Sequence, residues 1–332
     1  MRALVFGCSG QVGRAVAMEF ARAGWQVDAV VRGGRALPDG LASLQVQRLE
    51  AGENRASLMK KGYDAVCDTL AYSGADAADL LAAKRNCGHL TVISTASVYA
   101  DAAGRGLESA EGFPEYPAEI REDQPRVPPG SGYSASKVAM ELAMELGAQA
   151  AILRPGAIHG IGARHPREWW FVKRALDGRR RIPVLDNGAS IFHTSSTAGI
   201  ASLAVHCATH DLAGGFNVAD PEAPTVAQIA ALIGAHLGHS FDLVAAKSDG
   251  VGHTPWSAPR PLRLSTARAR ATGWDGGPRY ADSLPAYIDW LVERRNQWRT
   301  AFPAFAAYGS DPFDYAREDA DLALLAREVQ NA

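Results

Sequence analysis

The sequence has few cysteines and no long apolar run, and these two absences exclude whole classes of protein. Its four cysteines, Cys8, Cys67, Cys87 and Cys207, include no Cys-x-x-Cys pair and no histidine at the spacing of a metal site. This pattern disfavours a disulfide framework or a zinc site and fits a reducing, cytoplasmic compartment. No stretch approaches the roughly 18 uninterrupted apolar residues of a membrane-spanning helix, and the apolar run at Met1–Gly7 is too short for a signal-peptide core. We therefore predict a cytoplasmic protein without a membrane partner.

The chain also lacks a large excess of positive or negative charge. The 332 residues hold 34 Lys and Arg against 36 Asp and Glu, a net charge of −2. We predict no nucleic-acid partner, because binding to nucleic acid requires a basic surface. The histidines show no metal-ligand spacing with carboxylates, so no metal site is predicted. With 47% apolar and 21% charged residues, the composition is that of an ordinary soluble globular protein of one large domain or two lobes.

Short apolar runs alternate with amphipathic segments in the first half of the chain. Six runs predict buried strands, with helical patterns following the first strand as far as Ala23 and at Ala75–Arg85 and Tyr133–Leu146. The strands are Arg2–Phe6, Gln26–Val31, Leu44–Leu49, Asp64–Asp68, Leu90–Ser94 and Ile152–Arg154. This alternation predicts an α/β fold with a Rossmann-type doubly wound parallel sheet, whose ligand crevice lies at the carboxyl ends of the strands. We assign residues 1–155 to this dinucleotide-binding domain.

The second half of the chain predicts a different pattern of secondary structure, with longer helices and short strands. Residues 156–295 are predicted to form a smaller C-terminal substrate lobe, with strands at Ile182–Leu185, Ile191–His193 and Gly215–Val218 and with segments that can cross back. Residues 296–332 form an aromatic and charged extension that ends in an amphipathic helical pattern at Tyr315–Val329. Within the first domain, the Pro-, Gly- and Glu-rich segment Asp101–Gly132 is too long for a simple connection and predicts a lid or insertion.

Glycine is abundant, with 33 residues, and three of them form a pattern directly after the first strand. Gly7, Gly10 and Gly13 lie between a strand and a helix, where a tight turn and a close backbone approach to a pyrophosphate both require a residue without Cβ. Backbone N–H groups at the start of the helix bind the anionic oxygens. We therefore predict cofactor contacts at these glycines and at Gln11 and Val12 between them.

The end of the second strand indicates which dinucleotide is bound. Sites for NAD place a carboxylate there against the ribose 2′-hydroxyl, but this strand runs into Arg32 and then Arg35, while Asp28 lies mid-strand. A guanidinium suits the 2′-phosphate of NADP. We predict NADP, with NAD as the alternative if the two arginines follow the strand only by chance.

A second group of polar residues predicts a proton-transfer site. Tyr133 and Lys137 share one face at the start of a predicted helix, because positions i and i+4 are neighbours on a helix. The fifth strand ends in a hydroxyl-rich run that contains Thr95. At the carboxyl edge of the sheet, the hydroxyl, the phenol and the ammonium would meet where a nicotinamide would lie.

In their order and spacing these residues resemble the extended short-chain dehydrogenase/reductases, the branch that includes NAD-dependent epimerases and dehydratases. The resemblance includes the glycine loop, Ser94–Tyr99, Tyr133–Lys137, Leu153–Gly160 and Phe216–Pro221, and it fades after Trp290. It implies that Tyr133 is the acid/base, that Lys137 lowers its pKa and holds the nicotinamide ribose, and that Thr95 hydrogen-bonds the reacting oxygen. It also implies cofactor contacts at Ala71, Pro155 and Ile158.

Several departures from the family pattern limit the substrate assignment. Family dehydratases carry Asp-Glu directly after the catalytic hydroxyl, where this chain has Ala96 and Ser97. The nucleotide-diphosphate clamp of sugar-nucleotide epimerases is incomplete, with Ala157 in place of Asn, Ser190 near the place of an Arg, and Thr194-Ser195-Ser196 in place of acidic residues. The basic runs at 164–167 and 179–181 suit either an anionic substrate pocket or a solvated surface next to a tryptophan-rich core.

Three functional hypotheses follow. The first is an NAD(P)-dependent oxidoreductase that transfers hydride at a carbonyl or alcohol carbon of a small molecule, with tyrosine acid/base catalysis. The second is a sugar or nucleotide-sugar epimerase that retains its nicotinamide cofactor. The third is a catalytically inactive nucleotide-sensing or RNA-associated protein on the same fold. A homodimer through the Val138–Leu142 stretch is possible, although its apolar side suits a core equally well.

Overall fold

The computed structural model describes residues 1–32, 37, 40–50, 53–246, 251–307 and 311–330, with side chains through Arg327. The strands are β1 (Arg2–Phe6), β2 (Gln26–Arg32), β3 (Gln45–Leu49), β4 (Tyr63–Asp68), β5 (Cys87–Ile93), β6 (Ala151–Pro155), β7 (Ala157–His159), β8 (Arg181–Leu185), β9 (Thr194–Ser196), β10 (Gly214–Val218) and β11 (Asp242–Ala246). The helices are α1 (Gln11–Arg22), α2 (Arg55–Met59), α3 (Gly74–Ala82), α4 (Tyr133–Gly147), α5 (Trp169–Leu176), α6 (Thr197–His210), α7 (Val226–Leu237), α8 (Ala267–Arg270), α9 (Tyr280–Glu293), α10 (Trp298–Ala301), α11 (Pro303–Ala306) and α12 (Tyr315–Gln330).

The central sheet has seven strands in the order β10-β6-β5-β4-β1-β2-β3, and every pairing in it is parallel. From β1 the strands are added towards one side of the sheet as far as β3, and then towards the other side from β4, so the topological switch point of this doubly wound sheet lies between β1 and β4. The predicted Rossmann-type fold is therefore confirmed. The carboxyl ends of β1, β2, β4, β5 and β6 meet at one edge, and this edge carries the candidate site.

Both faces of the sheet are covered, which explains why its strands are nearly continuous apolar runs. Side chains alternate along β1, so Ala3 and Val5 pack into one core with α1 and α6. Leu4 and Phe6 pack into the other core, where Met140 of α4 also lies. These four of the five β1 side chains have no exposed surface.

Two sequence predictions about strands need correction. The Gly215–Val218 segment was predicted to belong to the smaller lobe, but β10 pairs with β6 and is the seventh strand of the central sheet. A strand was also predicted at Ile191–His193, where the structure has only an isolated bridge between Phe192 and Leu262. In both cases pairing across a long stretch of chain, rather than local apolar content, decides which strand forms and where.

The chain divides into two compact units that interleave along the sequence. The first contains residues 1–158, 194–221 and 263–278, and the second contains 159–193, 222–262 and 279–332. Segments 194–221 and 263–278 thus return to the first unit, and residues 296–332 are part of the second. The second unit has its own core, built mainly from aromatic side chains of α5, α9 and the segments after them.

The insertion at 101–132 is held by hydrogen bonds within itself and by a contact with the rest of the first unit. Asp101 accepts hydrogen bonds from the backbone N–H groups of Ala103, Arg105 and Glu115, at 2.9, 2.9 and 2.8 Å. Further on, Ile120 is fully buried and bridges to Leu264. Buried polar contacts of this kind fix one conformation, because breaking them would leave unpaired groups.

Among the described residues, no helix combines the length and the apolar character that a membrane-spanning segment needs.

Candidate active site

The glycine-rich turn after β1 has the backbone that the sequence predicted. Gly7 has φ +85°, a left-handed conformation that disfavours a side chain. A Cβ at Gly13 would lie 2.5 Å from the carbonyl carbon of Gly7, which is closer than real contacts allow. The turn and the first residues of α1 therefore pack backbone against backbone, and substitution of either glycine would open this turn.

The start of α1 is free of competing groups. Gly10 is the N-cap residue, no side chain caps the helix, and no acidic residue lies in its first turn. Gln11 and Val12 begin the helix, and the side-chain oxygen of Gln11 is buried without a hydrogen-bond partner. A helix start without a side-chain cap or an acidic residue carries a partial positive charge and has N–H groups available to bind an anion. The residues present therefore fit a dinucleotide pyrophosphate.

Arg32 is the last residue of β2 and is exposed at the carboxyl edge of the sheet. Asp28 in the same strand is 2% exposed. Its carboxylate accepts hydrogen bonds from Tyr63 and Gln47, both at 2.6 Å. Asp28 is therefore a structural residue, and Arg32 is the charged group that this strand presents at its end. Arg35, the second predicted arginine, lies outside the described residues.

Lys137 is held rigidly between two neighbouring strand ends. Its ammonium group donates to the carbonyl oxygens of Ala71, after β4, and Ile93, at the end of β5, at 2.7 and 2.8 Å. The side chain is 7% exposed. Burial lowers its pKa to about 8, because desolvation disfavours the charged form. The group is thus still mostly protonated at neutral pH.

Tyr133 and Thr95 face each other at this edge. Thr95 is 8% exposed, and its hydroxyl accepts a hydrogen bond from the backbone N–H of Ser97 at 3.1 Å. Although Tyr133 is 42% exposed, desolvation of its hydroxyl raises the pKa, while a hydrogen bond with Thr95 lowers it. The ring of Tyr72 lies 5.9 Å from that of Tyr133, centroid to centroid. The structure therefore brings Thr95, Tyr133 and Lys137 together in the first unit.

The remaining predicted cofactor contacts lie at the same edge. Ala71 is fully buried and offers its carbonyl oxygen to Lys137. Pro155 ends β6, and Ile158 follows in β7 as a partly buried residue packed against the core. The predicted residues that the structure describes therefore lie at the carboxyl ends of the central strands, in the turns, helices or short strand that directly follow them.

Asp68 shapes this edge, although the sequence analysis did not single it out. Its carboxylate accepts hydrogen bonds from the backbone N–H groups of Leu70 and Ala71, both at 2.6 Å, and from Arg55 at 2.6 Å. Burial raises its pKa, and the Arg55 guanidinium opposes that shift. Asp68 thereby fixes the loop whose carbonyl holds Lys137. The signal in the sequence is an aspartate that ends a buried apolar strand.

Ser195 and Ser196, which stand where family members carry acidic residues, have structural roles. Ser195 donates to the carbonyl of Val218 at 2.6 Å and accepts from the N–H of Gly156 at 2.8 Å. Ser196 caps α6 by accepting from the N–H of Gly199 at 3.1 Å. Their hydroxyls are therefore occupied by backbone groups.

The basic run at 179–181 is largely neutralised within the second unit. Arg179 pairs with Glu318 and Asp319, and Arg181 pairs with Asp242 at 3.2 Å. In the neighbouring run, His165 packs against Phe305, while Trp169 and Trp170 are buried in the aromatic core. For the run at 179–181, these ion pairs favour a solvated surface over an anion pocket.

Comparison with known families decides where the chain belongs. The sequence model of the NAD dependent epimerase/dehydratase family matches residues 3–193, which is more than half of the chain. The chain belongs to this family. The resemblance to the extended short-chain dehydrogenase/reductases is confirmed, and with it the assignment to a family of NAD-dependent enzymes. No curated protein matches the chain by sequence.

Solved structures with the same fold include nucleotide-sugar enzymes. A dTDP-glucose 4,6-dehydratase from Bacillus anthracis, in complex with NAD, is 14% identical with a TM-score of 0.67, over 91% of this chain and 99% of that one. A UDP-glucuronic acid 4-epimerase from Bacillus cereus, in complex with UDP-glucuronic acid and NAD, is 16% identical with a TM-score of 0.66, over 88% and 99%. A UDP-glucose 4-epimerase from Thermus thermophilus, in complex with NAD, is 19% identical with a TM-score of 0.62, over 88% and 99%. At these identities the likeness establishes the fold alone.

Proposed function

We propose that this member of the epimerase/dehydratase family is an NADP-dependent oxidoreductase that reduces a carbonyl, or oxidises the corresponding alcohol, on a small molecule. The observation that carries the proposal is the grouping of Thr95, Tyr133 and Lys137 at the carboxyl edge, with the lysine fixed by two backbone carbonyls. A bound dinucleotide would lie with its pyrophosphate at the glycine turn, and its nicotinamide would supply the hydride donor or acceptor.

The proton chemistry belongs to the chain's own side chains. A phenol with a pKa at or above its ordinary value of about 10 is protonated at neutral pH, and burial raises that of Tyr133. Tyr133 is therefore suited to give a proton to a carbonyl oxygen as it is reduced. The Lys137 ammonium stabilises the phenolate that results. The Thr95 hydroxyl donates a hydrogen bond to the reacting oxygen of the substrate.

The residues after Thr95 argue against a sugar 4,6-dehydratase. Elimination of water requires an acid and a base beside the catalytic hydroxyl, but Ala96 and Ser97 follow Thr95. Ala96 is 2% exposed and belongs to a short 3-10 turn with Ser97. Neither side chain provides a carboxyl group, so net reduction or oxidation suits this site better.

The nucleotide content of freshly purified protein tests the proposed function. After denaturation, chromatography identifies and counts any NAD(H) or NADP(H) released. We expect less than one nucleotide per chain, and we expect the protein to bind NADPH more tightly than NADH. Stoichiometric retention of nucleotide would favour a cycle without net redox change. Failure to bind either dinucleotide would contradict an enzymatic role and favour a sensing protein.

Arg32 is the proposed determinant of the preference for NADP. A charge-assisted hydrogen bond to a 2′-phosphate is worth about 1.5–3 kcal/mol. We therefore expect Arg32→Gln to weaken NADPH binding by about 10- to 100-fold and to leave NADH binding unchanged, as measured by calorimetry. Arg22→Gln is a matched control, because Arg22 is also an exposed arginine but pairs with Glu19 on α1. Equal weakening of both dinucleotides would remove Arg32 from the 2′-phosphate site.

An epimerase with a retained cofactor is the second candidate. The similarity to two nucleotide-sugar epimerases of the same fold favours it. Against it, Ser190 stands near the position of the family's diphosphate-binding arginine, and its hydroxyl donates to the carbonyl of Ala258 at 3.3 Å. Epimerisation would appear as inversion of one sugar carbon without any change in the absorbance of free NADPH.

A further inference from the structure

The insertion at 101–132 reaches the start of the helix that carries Tyr133 and Lys137. Within it, the N–H of Ser109 donates to the carbonyl of Gly106 at 3.1 Å, which closes a turn around Leu107 and Glu108. The carboxylate of Glu108 accepts a hydrogen bond from the backbone N–H of Ser134 at 2.9 Å. A carboxylate from outside α4 therefore binds the second residue of this helix.

Helix α4 lacks a cap of its own. Its N-cap residue is Gly132, which has no side chain to accept a hydrogen bond, and the first turn of α4 contains no acidic residue. Side-chain caps satisfy the free N–H groups at a helix start and stabilise that end. A negative charge there also interacts favourably with the helix dipole. Glu108 supplies both the capping hydrogen-bond acceptor and the negative charge.

We propose that Glu108 is a positioning residue for the catalytic helix: its carboxylate caps α4, which has no N-cap side chain of its own, and places a negative charge at the helix start beside Tyr133. The proposal deepens the proposed function and rests on it, since it assigns the insertion to the same site. Tyr133 directly precedes Ser134, the residue that Glu108 binds. The Glu108 side chain therefore acts on both the position and the protonation of Tyr133.

The other groups around Tyr133 do not provide this negative charge. Desolvation is the main cause that raises the pKa of Tyr133; a hydrogen bond with Thr95 lowers it, and the Tyr72 and Glu108 side chains raise it further. On its own helix, Lys137 lies one turn further on and is cationic. Glu108 is a carboxylate at the start of this helix, and it comes from the insertion rather than from a core strand.

Two variants separate the cap from the charge. Glu108→Gln keeps an oxygen that accepts from the Ser134 N–H but removes the charge, whereas Glu108→Ala removes both. Glu108 is exposed, so we expect both variants to fold, as judged by far-UV circular dichroism. Glu111→Gln and Glu111→Ala are the matched controls, because Glu111 is an exposed carboxylate of the same insertion.

Hydrogen–deuterium exchange measures the cap. We expect the peptide that contains Tyr133–Lys137 to exchange several-fold faster in Glu108→Ala than in the parent protein, and to be nearly unchanged in Glu108→Gln and in both Glu111 variants. Equal protection in Glu108→Ala and the parent protein would overturn the proposal.

The phenolate absorbance of Tyr133 measures the charge. Subtracting the signal of a Tyr133→Phe protein isolates this tyrosine, and the comparison is made up to the highest pH at which the fold stays native. We expect the Tyr133 titration of Glu108→Gln to lie at lower pH than that of the parent protein, because a nearby negative charge disfavours the phenolate, and we expect the shift to shrink at high salt. If the titration of Tyr133 were the same in Glu108→Gln and the parent protein, the proposed effect of the Glu108 charge would be wrong. Neither measurement requires turnover, so failure of the proposed function would not obscure the result.

Discussion

Replacing Tyr133 with phenylalanine will lower the rate of hydride transfer by about a thousandfold and leave dinucleotide binding nearly unchanged. General acid/base groups contribute about 10²- to 10⁴-fold to a rate, and the substitution removes the only proton that this side chain can donate. The glycine turn and Arg32 are not altered by it. The measurement is the loss of NADPH absorbance with a set of carbonyl substrates, together with NADPH binding by calorimetry.

Tyr72→Phe is the control for this prediction. Tyr72 and Tyr133 are equally exposed at 42%, and their rings are neighbours. However, Tyr72 follows β4 rather than beginning α4, and Lys137 does not share a helix face with it. We expect Tyr72→Phe to keep most of the activity. Turnover that persists in Tyr133→Phe would show that another group moves the proton, and the proposed mechanism would fail.

The parts of the site that the sequence predicted are those built from neighbouring residues. The turn from Gly7 to Gly13 depends on local backbone geometry, and Tyr133 and Lys137 share a helix face whatever surrounds them. The first six strands were found because a strand buried on both faces is a continuous apolar run. Local pattern was sufficient for each of these features.

The features that the sequence analysis missed depend on pairing between distant segments. Glu108 binds Ser134 across 26 residues, and no periodicity in the insertion indicates that contact. The sequence left open whether the run with Arg179 binds an anion or is a solvated surface, whereas in the structure Glu318 and Asp319 pair with Arg179 from 139 and 140 residues away. Charge alone shows that a side chain can form an ion pair, while the fold decides whether its partner is a ligand or the chain itself.

Glu141→Ala will destabilise the first unit by about 3–5 kcal/mol, the typical cost of leaving a buried charge without its partner. Glu141 is fully buried and accepts from Arg154 at 3.0 and 2.9 Å and from Arg126 at 2.7 Å. Arg154 is only 3% exposed, so solvent cannot replace the lost carboxylate. For a unit of this size we expect a fall in Tm of about 10 °C, measured by thermal unfolding at neutral pH.

The destabilisation should extend beyond the ion pair, because Arg154 also donates to the Tyr99 hydroxyl at 3.1 Å, and Tyr99 donates to Asn217 at 2.6 Å. Glu145→Ala is the control, since Glu145 also pairs with Arg126 but is 37% exposed. Exposed pairs contribute about 1 kcal/mol or less, so Glu145→Ala should barely change Tm. If both variants lowered Tm equally, the network would derive its stability from Arg126 at the surface rather than from the buried pair. Since α4 carries Glu141 on the same helix as Tyr133 and Lys137, the network also holds the proposed catalytic helix against β6.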